Sequence, residues 1–343
     1  MRYTAIDRIV GDNDTTVGYL LQSETGNQLG LSSKNIKYML NHGEIDIDNL
    51  KVTSDNRLIM CNPEEKRKLT PEELADKLRK VIVKTNLLGA KLDVDLDGMH
   101  IITYKGKVTL EKYTGNDRVV HVPDGVQLIY HRAFQTNRRI RSVELPDSVE
   151  HIGYYVFAGC ENLESVRLSN KMTTTSEDAF WGSEKLTEIY LPDSITEIGP
   201  GTFKRCVRLR GVKLPANLKK ISKQAFNQTG LLEIDIPDSV EYIGNNAFDE
   251  CLYLKKVKLP ESITEIAYSC FYNCRSLEEI KIPPYVQIIS DAAFAACVAL
   301  RRVYIPYFAR LESERCFRGC KNLIPENVTR YKGGKQVWFY QDV

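Results

Sequence analysis

The stretch from Pro192 to Leu214 reads Pro192-Asp-Ser-Ile195-Thr-Glu-Ile198-Gly199, continues through Thr202-Phe203, Cys206 and Leu209, and ends in Val212-Lys213-Leu214. Val212 and Leu214 alternate with Lys213, the period of a short strand with two inward side chains. The proline after such a strand removes a ladder donor and ends it, and the Asp-Ser that follows favours a turn. The remaining apolar positions, at three-residue steps, suit a helical or 3₁₀ turn packed behind the strand. A unit with one strand and one apolar face cannot close a core alone.

The chain supplies copies to stack on it. One column runs Phe134, Phe157, Phe180, Phe203, Phe226, Phe248, Phe271, Phe294, Phe317, in steps of 23 residues except for one of 22 between Phe226 and Phe248. A second column, Pro123, Pro146, Ser169, Pro192, Pro215, Pro237, Pro260, Pro283, Pro306, keeps the same phase. Val143/Leu145, Ile189/Leu191, Val257/Leu259, Ile280/Ile282 and Val303/Ile305 repeat the strand alternation. Parallel strands pair at about 4.8 Å, so the repeats predict a curved sheet on the order of 40 Å long with turns on its other face.

The repeat unit Leu-x-x-Val-x-Leu-Pro-Asp-Ser-Val-x-x-Ile-Gly-x-x-Ala-Phe-x-x-Cys resembles the BspA-type bacterial leucine-rich repeat, also seen in treponemal leucine-rich proteins. The resemblance covers roughly residues 98–325. It implies a leucine-rich-repeat solenoid used for binding, often by surface adhesins.

Composition agrees with a folded chain. Of 343 residues 43% are hydrophobic and 27% charged, with a formal net charge of +2, which excludes a disordered acidic or basic tail. No run of apolar residues is long enough to span a membrane. Met1 to Thr16 carries Asp7, Asp12 and Asp14 and no apolar signal region, so a cytoplasmic location is expected, with the cell surface as the alternative that the resemblance implies.

Four segments are expected. Residues 1–60 lack the repeat and read as a small α+β module. Thr4 to Val10 and Val17 to Gln22 are strands around Gly11-Asp12-Asn13-Asp14, Ser33 to Asn41 is a short helix, and Leu50 to Met60 is a hairpin turning at Asp55-Asn56. Residues 61–97 hold a charged linker and a helix in which Thr70, Pro71 and Glu73 form a capping box, with Leu74, Leu78, Val81 and Ile82 as one stripe. Residues 98–325 are the solenoid. Residues 326–343 are a C-terminal cap carrying Val337, Trp338, Phe339 and Tyr340.

Chemical motifs are sparse. Cys160, Cys206, Cys251, Cys274, Cys297 and Cys320 stand three residues after the column phenylalanine, and Cys270 and Cys316 replace an alanine just before it. Core packing is the expected role, because free cysteine behaves as a small hydrophobe and no local set of four zinc ligands forms. Asp93-Val-Asp95-Leu-Asp97-Gly98 imitates the start of a calcium loop, but Tyr104 stands where a bidentate glutamate is required, so a strand entering an Asp-Gly turn is expected. His42, His100, His121, His131 and His151 fall in no metal spacing, and no nucleophile elbow, Walker loop or dinucleotide fingerprint occurs. Neither an enzyme nor a cofactor or metal is expected.

The outward strand face is where such a solenoid binds. One outward column runs His121, Glu144, Arg167, Tyr190, Lys213, Asp235, Lys258, Lys281, Tyr304, and another runs Ser142, Ser165, Glu188, Gly211, Glu233, Lys256, Glu279, Arg302. Glu144/Arg167, Lys213/Asp235 and the run Glu233/Lys256/Glu279/Arg302 are positioned to pair along the sheet. Offsetting charges argue against nucleic acid, which requires an uninterrupted basic stripe. Tyr190, Tyr285, Tyr304 and Tyr307, with Arg167 and Lys258, are the candidate partner contacts. The expected function is a protein- or peptide-binding scaffold, with a carbohydrate- or host-surface-binding adhesin as the alternative. For Tyr285, Tyr304, Tyr307 and Phe308 the competing expectation is that they fold beneath the Trp338-Phe339-Tyr340 tail.

Overall fold

The computed structural model describes residues 70–87 and 92–331. It also describes the strand backbones Arg2–Val10, Thr16–Ser23, Gln28–Ser32, Ile45–Asp46, Leu50–Val52, Leu58–Met60, Val328–Lys332 and Lys335–Val337. The expected helix at 33–41, the turns at 11–14 and 55–56, the charged linker, Cys61 and Trp338 to Val343 lie outside the described residues. The chain divides into two compact units, residues 1–115 with 123–127, and residues 116–122 with 128–343.

In the first unit, Arg2–Val10 pairs antiparallel with Thr16–Ser23, which pairs with Gln28–Ser32. Leu50–Val52 and Leu58–Met60 form a hairpin. Helix α1 (Pro71–Leu87) opens with the capping box read from sequence. The Thr70 N–H donates to Glu73 Oε2 at 2.8 Å, and the Glu73 N–H donates to Thr70 Oγ1 at 3.3 Å. Two orphan donors of the first turn are thereby satisfied. Leu74, Leu78 and Val81 are buried, and a side chain at Gly125 would touch Leu78 and Ile82. Residues 93–113, partly inside the 98–325 boundary read from sequence, form an antiparallel meander of Asp93–Leu96, Met99–Tyr104 and Lys107–Tyr113. Asp97 and Gly98 make its first turn with positive φ, and Asp95 Oδ1 accepts from the Gly98 N–H at 2.9 Å.

The second unit is a solenoid of parallel coils, the leucine-rich-repeat architecture expected from the two columns. Three hydrogen-bonded ladders join its coils. The first is the predicted strand ladder, in which Val119–His121, Ser142–Glu144, Ser165–Arg167 and Glu188–Tyr190 pair in register at the repeat spacing. It resumes at Glu233–Asp235 with Lys256–Lys258, and again at Glu279–Lys281 with Arg302–Pro306 and Val328–Lys332. Lys335–Val337 then turns back antiparallel.

The strand predicted at Val212–Leu214 is absent from this ladder. A deleted residue accompanies the break. The next coil is one residue short near Gly230, where it cuts in so closely that a Cβ would overlap the Val207 carbonyl oxygen. The gap in the ladder between Glu188–Tyr190 and Glu233–Asp235 thus falls beside this short coil.

A second ladder, not expected from sequence, joins two-residue strands such as Leu128–Ile129 with His151–Ile152, Lys220–Ile221 with Tyr242–Ile243, and Glu265–Ile266 with Ile288–Ile289. Two residues carry too little alternation to register as a strand.

The third ladder lies in the phenylalanine turns. Within each turn, bonds from residue i+3 to residue i give 3₁₀-type closure, as in Ala133 N–H to Tyr130 O and Asn137 N–H to Phe134 O. Residues two before and two after the phenylalanine take positive φ, as at Arg132 (62°) and Thr136 (57°) or Asn246 (57°) and Glu250 (57°). That twist aims alternate N–H groups at the next coil. Arg132, Phe134 and Thr136 donate to the carbonyls of Tyr154, Val156 and Ala158 at 2.9, 3.0 and 2.8 Å.

The rings themselves form the spine. Consecutive column phenylalanines stack with centroids 5.0 to 5.5 Å apart and planes within 22°. From Phe134 to Phe294 all are fully buried. Each such side chain contributes about 1.5–3 kcal/mol by leaving water, with up to about 1.5 kcal/mol more per ring pair.

Candidate functional site

The outward column of the first ladder carries four of the predicted contacts, Arg167, Tyr190, Lys258 and Tyr304, because the alternate positions fill the core, whereas Tyr285 and Tyr307 follow the strand-ending prolines Pro283 and Pro306. Val143, Val166 and Ile234 point inward and are buried, while Glu144, Arg167 and Asp235 between or beside them face outward. The register places Arg167 opposite Tyr190 and Lys281 opposite Tyr304.

The candidate residues fall in three places. Arg167 and Tyr190 are neighbours, and Tyr190 is 57% exposed. Lys258 stands alone further along, held to Asp235 at 3.1 Å, a bond that keeps its ammonium protonated above the ordinary lysine range. Tyr285, Tyr304 and Tyr307 gather on two successive coils near the end of the solenoid. Tyr285 is 68% exposed, Tyr304 is half-buried, and the Tyr307 ring meets Phe308 edge-on at 5.1 Å. Phe308, at the position equivalent to Tyr285, is itself 71% exposed. Tyr331 extends this corner, with its hydroxyl donating to the Ile282 carbonyl and its own carbonyl accepting from the Tyr307 N–H at 2.7 Å. The covering tail expected at Trp338 to Tyr340 lies outside the described residues.

The expected charge ladders are partly rearranged. Glu279 and Arg302 pair at 2.8 Å as expected. Glu144 meets His121 at 3.1 Å in place of Arg167, whose guanidinium turns toward Asp147 at 3.8 Å and the Leu145 carbonyl. Asn170 donates to the Asp147 carboxylate from both its backbone and its side chain and, with Arg167 beside it, holds that carboxyl below its ordinary range. Asp235 takes Lys258 in place of Lys213, because the missing rung at 212–214 removes the register that would have joined them.

Exposed aromatics also occur on the phenylalanine-turn side, at Tyr154, Trp181, Tyr268 and Tyr272. They occupy the positions three before and one after the column phenylalanine, a signal present in the sequence once the turn geometry is known. On the meander of the first unit, the His100 ring lies between Asp93 and Glu111, each at 2.7 Å. Among the described residues no group of three or more histidine, cysteine or carboxylate side chains is arranged to hold a metal ion.

The family model for the BspA type leucine rich repeat region matches in six copies, over residues 127–254 and 219–332. The chain belongs to this BspA-type leucine-rich repeat family. Solved structures to which the chain is similar include a leucine rich cell surface protein from Faecalibacterium prausnitzii A2-165, 22% identical over 71% of this chain and 96% of that one, with a TM-score of 0.38. The Treponema pallidum leucine-rich repeat protein is 24% identical over 61% and 91%, with a TM-score of 0.45. The pneumococcal vaccine antigen PcpA is 20% identical over 68% and 80%, with a TM-score of 0.40. A search of curated proteins gives no match. Among the described residues of this BspA-type chain, no helix is long and apolar enough to cross a membrane.

Proposed function

We propose that this BspA-type solenoid is a non-enzymatic scaffold that binds a protein or peptide through its outward strand face, with Tyr285, Tyr304 and Tyr307 as the principal contacts and Tyr190 with Arg167 as a second point. The observation that carries the reading is the aromatic corner near the last coils. Tyr285 sits two-thirds exposed although every inward position of its coil is filled. Tyrosine supplies a large contact area at low conformational cost and a hydroxyl for orientation, which is why it dominates binding hot spots. Membership of a family of binding scaffolds supports the same reading.

The test is affinity capture from native lysate with the wild-type chain and with a Tyr190→Ala/Tyr285→Ala/Tyr304→Ala/Tyr307→Ala variant that retains its circular dichroism. Loss of the partners held by the wild type is expected. An unchanged set of partners would remove these tyrosines from the site. The adhesin reading rests on the family and on the same exposed rings, which also suit the flat faces of sugars. Cell fractionation and binding to immobilised glycans separate it, since a chain confined to the cytosol and indifferent to glycans serves a protein partner.

A further inference from the structure

Between Gly199 and Leu232 the chain carries eight lysines and arginines and no carboxylate, although the whole protein has a net charge of only +2. This basic turn of the solenoid is not uniform around its circumference. Lys219 and Lys220 are matched by Glu241 and Glu197, each at 3.0 Å, and Lys204 reaches the Gln224 amide oxygen at 3.2 Å. Arg208, Arg210 and Lys213 meet no carboxylate among the described residues. The contrast with other coils is direct, because the cations equivalent to Arg210 at Arg141 and Arg301 pair with Glu164 and Glu278, and Lys258, equivalent to Lys213, pairs with Asp235.

Two further features coincide with these three cations. Arg210 lies over the exposed ring of Tyr253, 4.9 Å from its centroid, and Val207 and Leu232 are exposed beside the strip. This is also the segment missing from the strand ladder. Among the described residues, the backbone of Gly211 to Leu214 makes no hydrogen bond to either neighbouring coil, and a Cβ at Gly211 would stand in open space.

We infer that Arg208, Arg210 and Lys213, with the unpaired backbone of Gly211 to Leu214, form a docking strip for a short acidic peptide segment of a partner protein that lies extended along the coil. Fork-shaped guanidinium groups hold carboxylates in a fixed geometry, and an extended main chain completes open backbone donors and acceptors. The distance from Arg208 to Lys213 is at most about 17 Å of extended chain, which sets the recognised segment at about five or six residues. The strip is one coil wide. Glu188 on one side and Glu233 and Asp235 on the other bound it with negative charge, so a polyanion crossing the coils meets repulsion that a peptide aligned with the coil avoids. The inference rests on the scaffold reading only in requiring a protein partner, and it uses a different patch from the tyrosine corner.

The experiment is fluorescence anisotropy on the full chain with the fluorescein-labelled peptide Gly-Glu-Tyr-Glu-Leu-Glu-Gly, its analogue with glutamine for glutamate, a single-stranded oligothymidylate and a heparin oligosaccharide. The glutamate peptide is expected to bind at least about tenfold more tightly than the glutamine analogue, with affinity falling as salt rises. Arg208→Ala/Arg210→Ala/Lys213→Ala is expected to weaken it about tenfold or more. Lys219→Ala/Lys220→Ala/Lys223→Ala removes the same charge from another face and is expected to change it less than about twofold. Lys213→Gln alone, which is exposed and unpaired, gives a partial loss and serves if the triple variant is poorly folded. Equal losses in both triple variants, or tighter binding of the oligothymidylate or heparin, would overturn the strip as a peptide site. Tyr285→Ala/Tyr304→Ala/Tyr307→Ala leaves peptide binding intact if the strip is separate. A loss there would overturn the strip's assignment and leave the scaffold reading standing, whereas failure of the tyrosine capture experiment does not touch the strip.

Discussion

The Cys297 thiol donates to the carbonyl oxygen of Phe271 at 3.1 Å, joining two adjacent coils from inside the core. The bond recurs from Cys160 to Phe134, Cys206 to Phe180 and Cys274 to Phe248, at 3.0 to 3.2 Å. Where the column holds serine, Ser183 Oγ makes the same bond to Phe157 at 2.9 Å. The position therefore selects a small side chain with a donor at its tip, and thiol chemistry is incidental. Burial pushes the Cys160 thiol up to about 12 and raises that of Cys206 further, so the reactive thiolate is scarce at neutral pH. In the folded protein at about pH 8, alkylation read by mass spectrometry is expected to leave Cys160, Cys206, Cys251 and Cys274 unmodified. Among the described cysteines, Cys320, on the last coil and 8% exposed, is expected to react first, and denaturation to release the rest. Rapid labelling of Cys206 in the folded chain would contradict this.

The phenylalanine spine gives an unequal cost to one substitution made at two places. Phe203 is fully buried between Phe180 and Phe226, whereas Phe317, among the described residues, stacks on Phe294 alone and is half-buried. Phe203→Ala is expected to cost about 3–5 kcal/mol and Phe317→Ala about half of that. Denaturant midpoints measure both, and equal costs would show that the stack does not run as a continuous core.

Much of this architecture was legible from two columns, because each marks a position that every coil must fill in the same way. Phe203 fixes the spine and Pro192 the end of the strand, and their common phase fixes the stacking. What escaped was set by the backbone. The Lys220–Ile221 strand has only one inward residue, and the left-handed turns are occupied by residues as different as Arg132, Gln228 and Ala296, so no side-chain signature marks them. The loss of the 212–214 rung was foreshadowed by the missing residue near Gly230, and the acid-free run from 199 to 232 stands in the sequence. Its unpaired sector needed coordinates. Tyr285 and Tyr304 were recognisable as outward, but the rotation of Arg167 toward Asp147 depended on a turn geometry that spacing does not encode.

The left-handed positions permit a test that isolates backbone conformation from packing. Gly182 has φ of 68°, and a Cβ there would meet only the Gly159 nitrogen at 4.0 Å. Gly182→Ala has room, so its expected cost of about 1 kcal/mol is conformational. Ala296, at the equivalent position with φ of 61°, is expected to respond with the opposite sign, Ala296→Gly gaining up to about 1 kcal/mol. A Gly182→Ala variant as stable as the wild type would mean that the turn relaxes out of the left-handed region.

Asp249 makes the stability of the middle coils depend on pH. Its Oδ2 accepts from the Asn246 side-chain amide at 3.0 Å, while Oδ1 is buried with no hydrogen-bond partner among the described residues. Burial raises the carboxyl from 3.8 to about 6. Between those values the folded protein keeps a proton that the unfolded chain has released, so stability falls as pH rises through the window and stays lower above it. Asp249→Asn removes the buried charge while keeping the shape. It is expected to be more stable than the wild type above about pH 6, by about 1–2 kcal/mol after allowing for the water that reaches this side chain, and to lose that advantage below about pH 4. Denaturant midpoints of the two proteins across that range measure the difference. An advantage that stays constant with pH would show that Asp249 does not titrate on unfolding, and would assign the gain to packing of the amide.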